Sequence, residues 1–152
     1  MKDAETLTTI LEAEAEAASV VYDRLKLAQE SIAGLSGPEL AAFVRSGPDL
    51  VRPLESLEQE RIRCAERLGA ALFPDGSQHV ESMSVHELLR YLPAADARAV
   101  AGAAGRLRQV VGNIIAVNGQ NRLLLERSRR FVEETLRIVT DDHTRTLIDQ
   151  RM

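Results

Sequence analysis

The sequence predicts an all-α protein, an elongated antiparallel helical bundle or long hairpin of about three long helices and one or two short ones. Three observations predict it. Only 3% of residues are aromatic while 45% are hydrophobic, so the core must be built from Leu, Val, Ile and Ala, which favours helices over sheets. Apolar residues recur in alternating steps of three and four along uninterrupted runs, which puts them on one helical face. Between the runs stand Gly-Pro pairs and Ser-x-x-Glu starts, the punctuation of helix ends. A chain of 152 residues is the size of one domain. Residues 1–140 are expected to form the bundle and residues 141–152 a flexible tail.

The first helix is expected over residues 3–32, on the stripe Leu7, Leu11, Ala18, Val21, Leu25, Ala28 and Ile32, with Glu14 breaking it and Gly34 ending it. Ser36-Gly37-Pro38-Glu39 then offers an N-cap for a short element to Val44. Ser46-Gly47-Pro48-Asp49 repeats the signal and reads as a second local start. From there Leu50, Leu54, Leu57, Ile62, Ala65, Leu68 and Leu72 support a second long helix, with Pro53 kinking its first turns or delaying its start.

Phe73-Pro74-Asp75-Gly76 is a stop and turn, followed by a connector to Met83. Ser84-Val85-His86-Glu87 fits a capping box for a short helix through Tyr91, and Pro93 closes it. The final helix, over residues 97–139, carries the longest stripe. Its seam reads Val100, Ala104, Leu107, Val111, Ile114, Asn118, Asn121, Leu125, Ser128, Val132, Thr135 and Val139. A flanking column of Ala103, Val110, Val117, Leu124, Phe131 and Ile138 recurs every seven residues and widens the face. A face this wide predicts contact with two helices, the first and second long helices flanking the last; the alternative is a stripe completed by another copy. Residues 1–32 hold seven acids and three bases, and residues 97–139 eight Arg and three Glu, so an acidic first helix beside a basic last one gives complementary edges.

Reaction chemistry is not expected. One cysteine, Cys64, excludes an internal disulfide, and its helical context reads as burial rather than nucleophilic use. His79, His86 and His143 have no metal-ligand spacing, and Gly102 and Gly105 lie inside a helical pattern with no phosphate-binding order. No enzyme activity, cofactor or metal is therefore expected. A net charge of −4 and no base-reading motif argue against nucleic acid. With no signal segment and no apolar run long enough to span a bilayer, a cytoplasmic protein without membrane insertion is expected.

Asn118 and Asn121 stand where Leu would bury more area and ask for no hydrogen bonds. They read either as register-setting core amides or as part of an incompletely covered seam that receives a partner helix. Leu147 and Ile148, in the polar tail, read as a frayed end or as a segment that orders against a partner.

The segment Asn118-Gly119-Gln120-Asn121-Arg122-Leu123-Leu124-Leu125 resembles the Asn-x-x-Asn-x-x-Leu-Leu region of flagellar export chaperones of the FlgN-like family. The resemblance extends to the order of elements: an acidic Leu/Ala helix, a second helix bearing Glu58, Glu60, Arg61 and Arg63, and a long C-terminal helix. It implies a cytoplasmic chaperone that binds hook-associated flagellar subunits and prevents their premature association before type III export, with the export machinery as a further contact. Carried over, it marks Asn118, Asn121, Leu124, Leu125, Phe131 and Ile138 as contact or supporting residues. The alternative reading is a non-enzymatic helical-bundle adaptor or signalling protein with a non-flagellar partner.

Overall fold

A computed structural model describes residues 1–34, 37–76 and 83–151, and from 141 on the backbone alone. The described residues are helical throughout apart from short connections. Helix α1 spans Lys2–Ala33, α2 spans Gly37–Leu72, α3 is the single turn Val85–Leu88, and α4 spans Ala94–Arg151. One 3₁₀ turn, Leu89–Tyr91, follows α3.

Helix α1 forms where its stripe is densest. Leu7, Leu11, Ala18, Ala28 and Ile32 are buried, Asp3 and Glu5 face the positive end of the helix dipole, and Gly34 closes the last turn by donating its N–H to the Glu30 carbonyl. The expected break between two local starts after residue 36 does not occur. Helix α2 is one 36-residue element that carries Pro48 and Pro53 in its interior. Ser46 does not cap a new helix; its hydroxyl donates to the Phe43 carbonyl at 3.0 Å, back into the preceding turn. Each proline removes one backbone bond, but Leu40, Phe43, Leu50, Leu54 and Leu57 stay in step on one half-buried face, which holds the helix together across both.

Past α2 the chain turns at Gly76, whose φ of +69° lies in the left-handed region that favours glycine. The capping box forms as its spacing predicts. The Glu87 N–H donates to Ser84 Oγ at 3.2 Å, and the Ser84 N–H donates to the Glu87 carboxylate at 2.7 Å. Phe73 and Tyr91 meet edge to face at 4.7 Å, tying the end of α2 to the 3₁₀ turn. Helix α4 runs unbroken through Gly102 and Gly105 for 58 residues, about 87 Å.

The three long helices run up, down and up. Antiparallel α1 and α2 are joined by Arg61 to Glu14 and by Ser31 to Glu39. Helix α4 lies parallel to α1: the N-terminal ammonium meets Asp96, Arg106 meets Glu12, and Gln29 meets Gln120. The flanking order differs from the one expected. Helix α1 is the middle element, packed along both α2 and α4, while those two share no comparable packing. All three meet at the closed end, where Leu7 and Leu11 of α1, Cys64 and Leu68 of α2, and Val100 and Ala103 of α4 form one core. The physical reason is that α1 buries apolar side chains toward two neighbours, whereas α4 buries one narrow seam.

Candidate partner-binding surface on the last helix

The seam that α4 turns inward is Val100, Ala103, Leu107, Val110, Ile114, Val117, Asn121, Leu124 and Ser128, all buried or half-buried. These positions alternate by three and four, the spacing of one helix against one partner. The seam therefore takes every second residue of the expected stripe and pairs it with the flanking column. The remaining column, Val111, Asn118, Leu125, Val132 and Val139, is exposed. Its width was legible in the sequence, and incomplete cover was one of the readings left open there; which column stays uncovered was not legible.

The candidate residues separate accordingly. Asn121 is 5% exposed, and its Nδ2 donates to the Leu25 carbonyl at 3.0 Å, while its Oδ1 is buried without a hydrogen-bond partner. It is a core amide tying α4 to α1. Asn118, three residues earlier, faces out. Leu124 is half-buried beside Ile32, Ala33, Ser128 and Phe131, in a notch of about 280 Å³ where α1 ends. Leu125, Phe131 and Ile138 are exposed, Phe131 by 60% and Ile138 by 59%. The side chains of Leu147 and Ile148 lie outside the described residues, as do His143 and the connector residue His79; the α4 backbone is helical to Arg151.

Three exposed residues escaped both predicted columns: Ile115, Leu123 and Leu136. Ile115 and Leu136 share a seven-residue column with Arg122 and Arg129, and those arginines hid its apolar members. Every position from 131 to 140 is exposed. Since α1 ends beside Phe131, α4 projects past it from residue 132 to 151, about 30 Å of helix. Over its described part this rod carries Val132, Leu136, Ile138 and Val139, an apolar patch with no cover among the described residues.

Charge flanks the patch. Arg129 sits between Glu126 at 2.7 Å and Glu133 at 3.1 Å on its own helix, and Arg130 also reaches Glu126 at 3.4 Å. The hydrogen bond and charge of Arg129 hold the Glu126 carboxyl below its ordinary range, and Glu126 raises Arg129 in turn. Of the complementarity expected between an acidic α1 and a basic α4, the ion pair seen among the described residues is Glu12 with Arg106; the terminal ammonium and Asp96 join the same two helices in the opposite sense.

Cys64 is fully buried and donates to the Asp3 carbonyl at 3.3 Å; burial pushes its thiol up, away from the nucleophilic thiolate. Among the described residues no three of His, Cys, Asp and Glu are grouped to hold a metal ion. Among them, too, no helix is long and apolar enough to cross a membrane. What the surface can do is bury the apolar face of another helix.

The family model described as FlgN protein matches residues 1–148, all but the last four positions. No curated protein and no solved structure matches the chain.

Proposed function

The chain belongs to the FlgN family, and on that premise we propose that it is a cytoplasmic chaperone of flagellar export that holds hook-associated subunits before type III secretion. The observation that carries this reading is the exposed apolar rod of α4 beyond the end of α1. A subunit destined to pair with its neighbours only after export carries terminal helical surfaces that would associate early. Laying one such amphipathic helix along α4 would cover Phe131, Val132, Leu136 and Ile138 on one side and the subunit's assembly surface on the other. Protection of this kind is stoichiometric and makes or breaks no bond. An affinity near micromolar, about −8 kcal/mol, would hold the subunit and still release it at the export gate.

The split of the two asparagines refines the reading. Asn121 supports the surface from inside, whereas Asn118 is free to meet the client together with Leu125, Phe131 and Ile138. Leu147 and Ile148 extend the same helix, so a client that follows α4 to its end would reach them.

The test is calorimetric titration of the purified chain with candidate hook-associated subunits. Phe131→Ala and Leu136→Ala are each expected to weaken binding about tenfold, since solvent-facing anchors dominate such interfaces, with the melting temperature unmoved. Removing residues 141–152 tests the tail. Failure of the intact chain to bind any hook-associated subunit would reject the flagellar assignment and leave the adaptor with another partner.

A further inference from the structure

Helix α2 is held unevenly along its length. Its fully buried residues, Cys64, Leu68 and Gly69, stand near its C-terminal end, and no position from 37 to 63 is fully buried. The polar ties follow the same gradient. Toward the C-terminal end Arg61 meets Glu14, the Cys64 thiol donates to the Asp3 carbonyl, and Arg67 reaches the Asp3 carboxylate at 3.9 Å. The first half is tied to α1, among the described residues, by the exposed hydrogen bond from Ser31 Oγ to Glu39 at 2.8 Å. Pro48 and Pro53 stand inside α2 without an N–H, so neither can donate to the carbonyl four residues back, Val44 or Asp49. The packing beneath is loose: Leu27, Ala28 and Ser31 of α1 and Ala42, Phe43 and Ser46 of α2 line an open cavity of about 600 Å³.

From this gradient we infer that residues 37–52 of α2 open from α1 as one unit, by local melting, while residues 53–72 and the rest of the bundle stay folded. A segment opens well below the global unfolding free energy when it buries few apolar side chains and its backbone bonds are incomplete. Both conditions hold here. Leu40, Phe43 and Leu50 are half-buried, and the carbonyls of Val44 and Asp49 lack their helical donors. Pro53 sets the boundary, because the helix beyond it can begin with proline as its first residue, where a missing N–H is no loss. Opening bares Ala28, which the closed segment keeps 5% exposed. Ile32, one turn further along α1, lines the notch beside Leu124 and Phe131. The apolar surface of α4 is thereby extended onto the end of α1. Use of that extension by a client helix alone rests on the chaperone reading.

Native-state amide exchange of the full chain, read residue by residue by NMR, tests the opening without any client. Amides in residues 41–52 are expected to share one level of protection, about 100-fold below that of residues 62–72. Pro48→Ala and Pro53→Ala supply the missing donors, and each should slow exchange over residues 41–52 about tenfold. Arg24→Cys and Ser46→Cys stand on opposite walls of the cavity, and Cys64 is fully buried and stays in place. Joined by a short bis-maleimide, they should bring the two halves of α2 within about tenfold of each other. Equal protection of the two halves in the parent, proline variants that exchange as the parent does, or a cross-linked chain that keeps the full difference would each overturn the inference. The cross-linked chain should also bind hook-associated subunits about fivefold more weakly than the same double-cysteine chain left open. Equal affinity, or no binding by either, would strike the client consequence and leave the opening intact.

Discussion

Arg61 Nε lies 2.9 and 3.1 Å from the two carboxylate oxygens of Glu14, and Glu14 is 4% exposed on the face of α1 that meets α2. A carboxylate that breaks an apolar stripe is thus neutralised by the one arginine that α2 presents at its level. A buried charge stripped of its partner costs more than the pair contributes, because the desolvation is then uncompensated. Arg61→Ala is expected to destabilise the bundle by about 2 kcal/mol, less than the roughly 3–5 kcal/mol of a fully buried pair, since the arginine is itself part-exposed. The double change Glu14→Leu with Arg61→Leu should fall within about 1 kcal/mol of the parent. Urea unfolding followed at 222 nm measures both; equal losses in single and double variants would contradict this account.

Asn121 is held differently. Its Nδ2 meets the Leu25 carbonyl, but its Oδ1 is buried with no partner, so the amide is only half satisfied. Replacing it with Leu removes one lost bond and one orphan acceptor and adds apolar burial. Asn121→Leu is expected to raise stability by about 1 kcal/mol and to leave client affinity within about twofold, because the residue does not reach the surface. Scanning calorimetry and client titration on the same sample check the two halves. A tenfold loss of affinity would return Asn121 to the binding face.

How far the sequence reached follows from what periodicity encodes. Steps of three and four place residues on one side of a helix, so the three long helices, the stop at Gly34 and the capping box at Ser84 were legible. Periodicity does not say which neighbour a stripe meets. The α4 stripe is wide enough for two partners and has one, so Asn118 and Leu125 were placed in a seam they do not enter. The α2 break failed because Pro and Gly signals are local, while the half-buried Leu face from Leu40 to Leu57 runs through them. Glu14 looked like an interruption because its partner, Arg61, lies 47 residues away, beyond any sequence window.

The glycines of α4 test whether its continuity is under strain. At Gly105, Gly112 and Gly119 an added Cβ would meet nothing within 4 Å, and the backbone is helical at all three. Alanine there loses less conformational entropy on folding than glycine does. Each change is expected to add about 0.5–1 kcal/mol, and the three together should raise the melting temperature by several degrees. A lowered melting temperature in any single variant would show that a small residue is needed at that position for packing.

Acid should act first on α3 and the projecting rod. The Ser84 N–H donates to the Glu87 carboxylate, and that bond holds the Glu87 carboxyl below its ordinary value; the hydrogen bond and charge of Arg129 do the same for Glu126. A carboxyl whose folded pKa is depressed stabilises the fold above its unfolded pKa, and that contribution disappears as pH falls through the folded value. Helicity carried by Glu126 and Glu87 should therefore be constant from pH 7 to about 5 and decline below about 4. Glu126→Gln removes the charged partner of Arg129 at every pH. That variant should begin with less ordered helix around residues 122–137 and lose less of it on acidification, as read from amide exchange or backbone chemical shifts. An acid profile identical to the parent's would mean that the Glu126–Arg129 contact does not hold the rod.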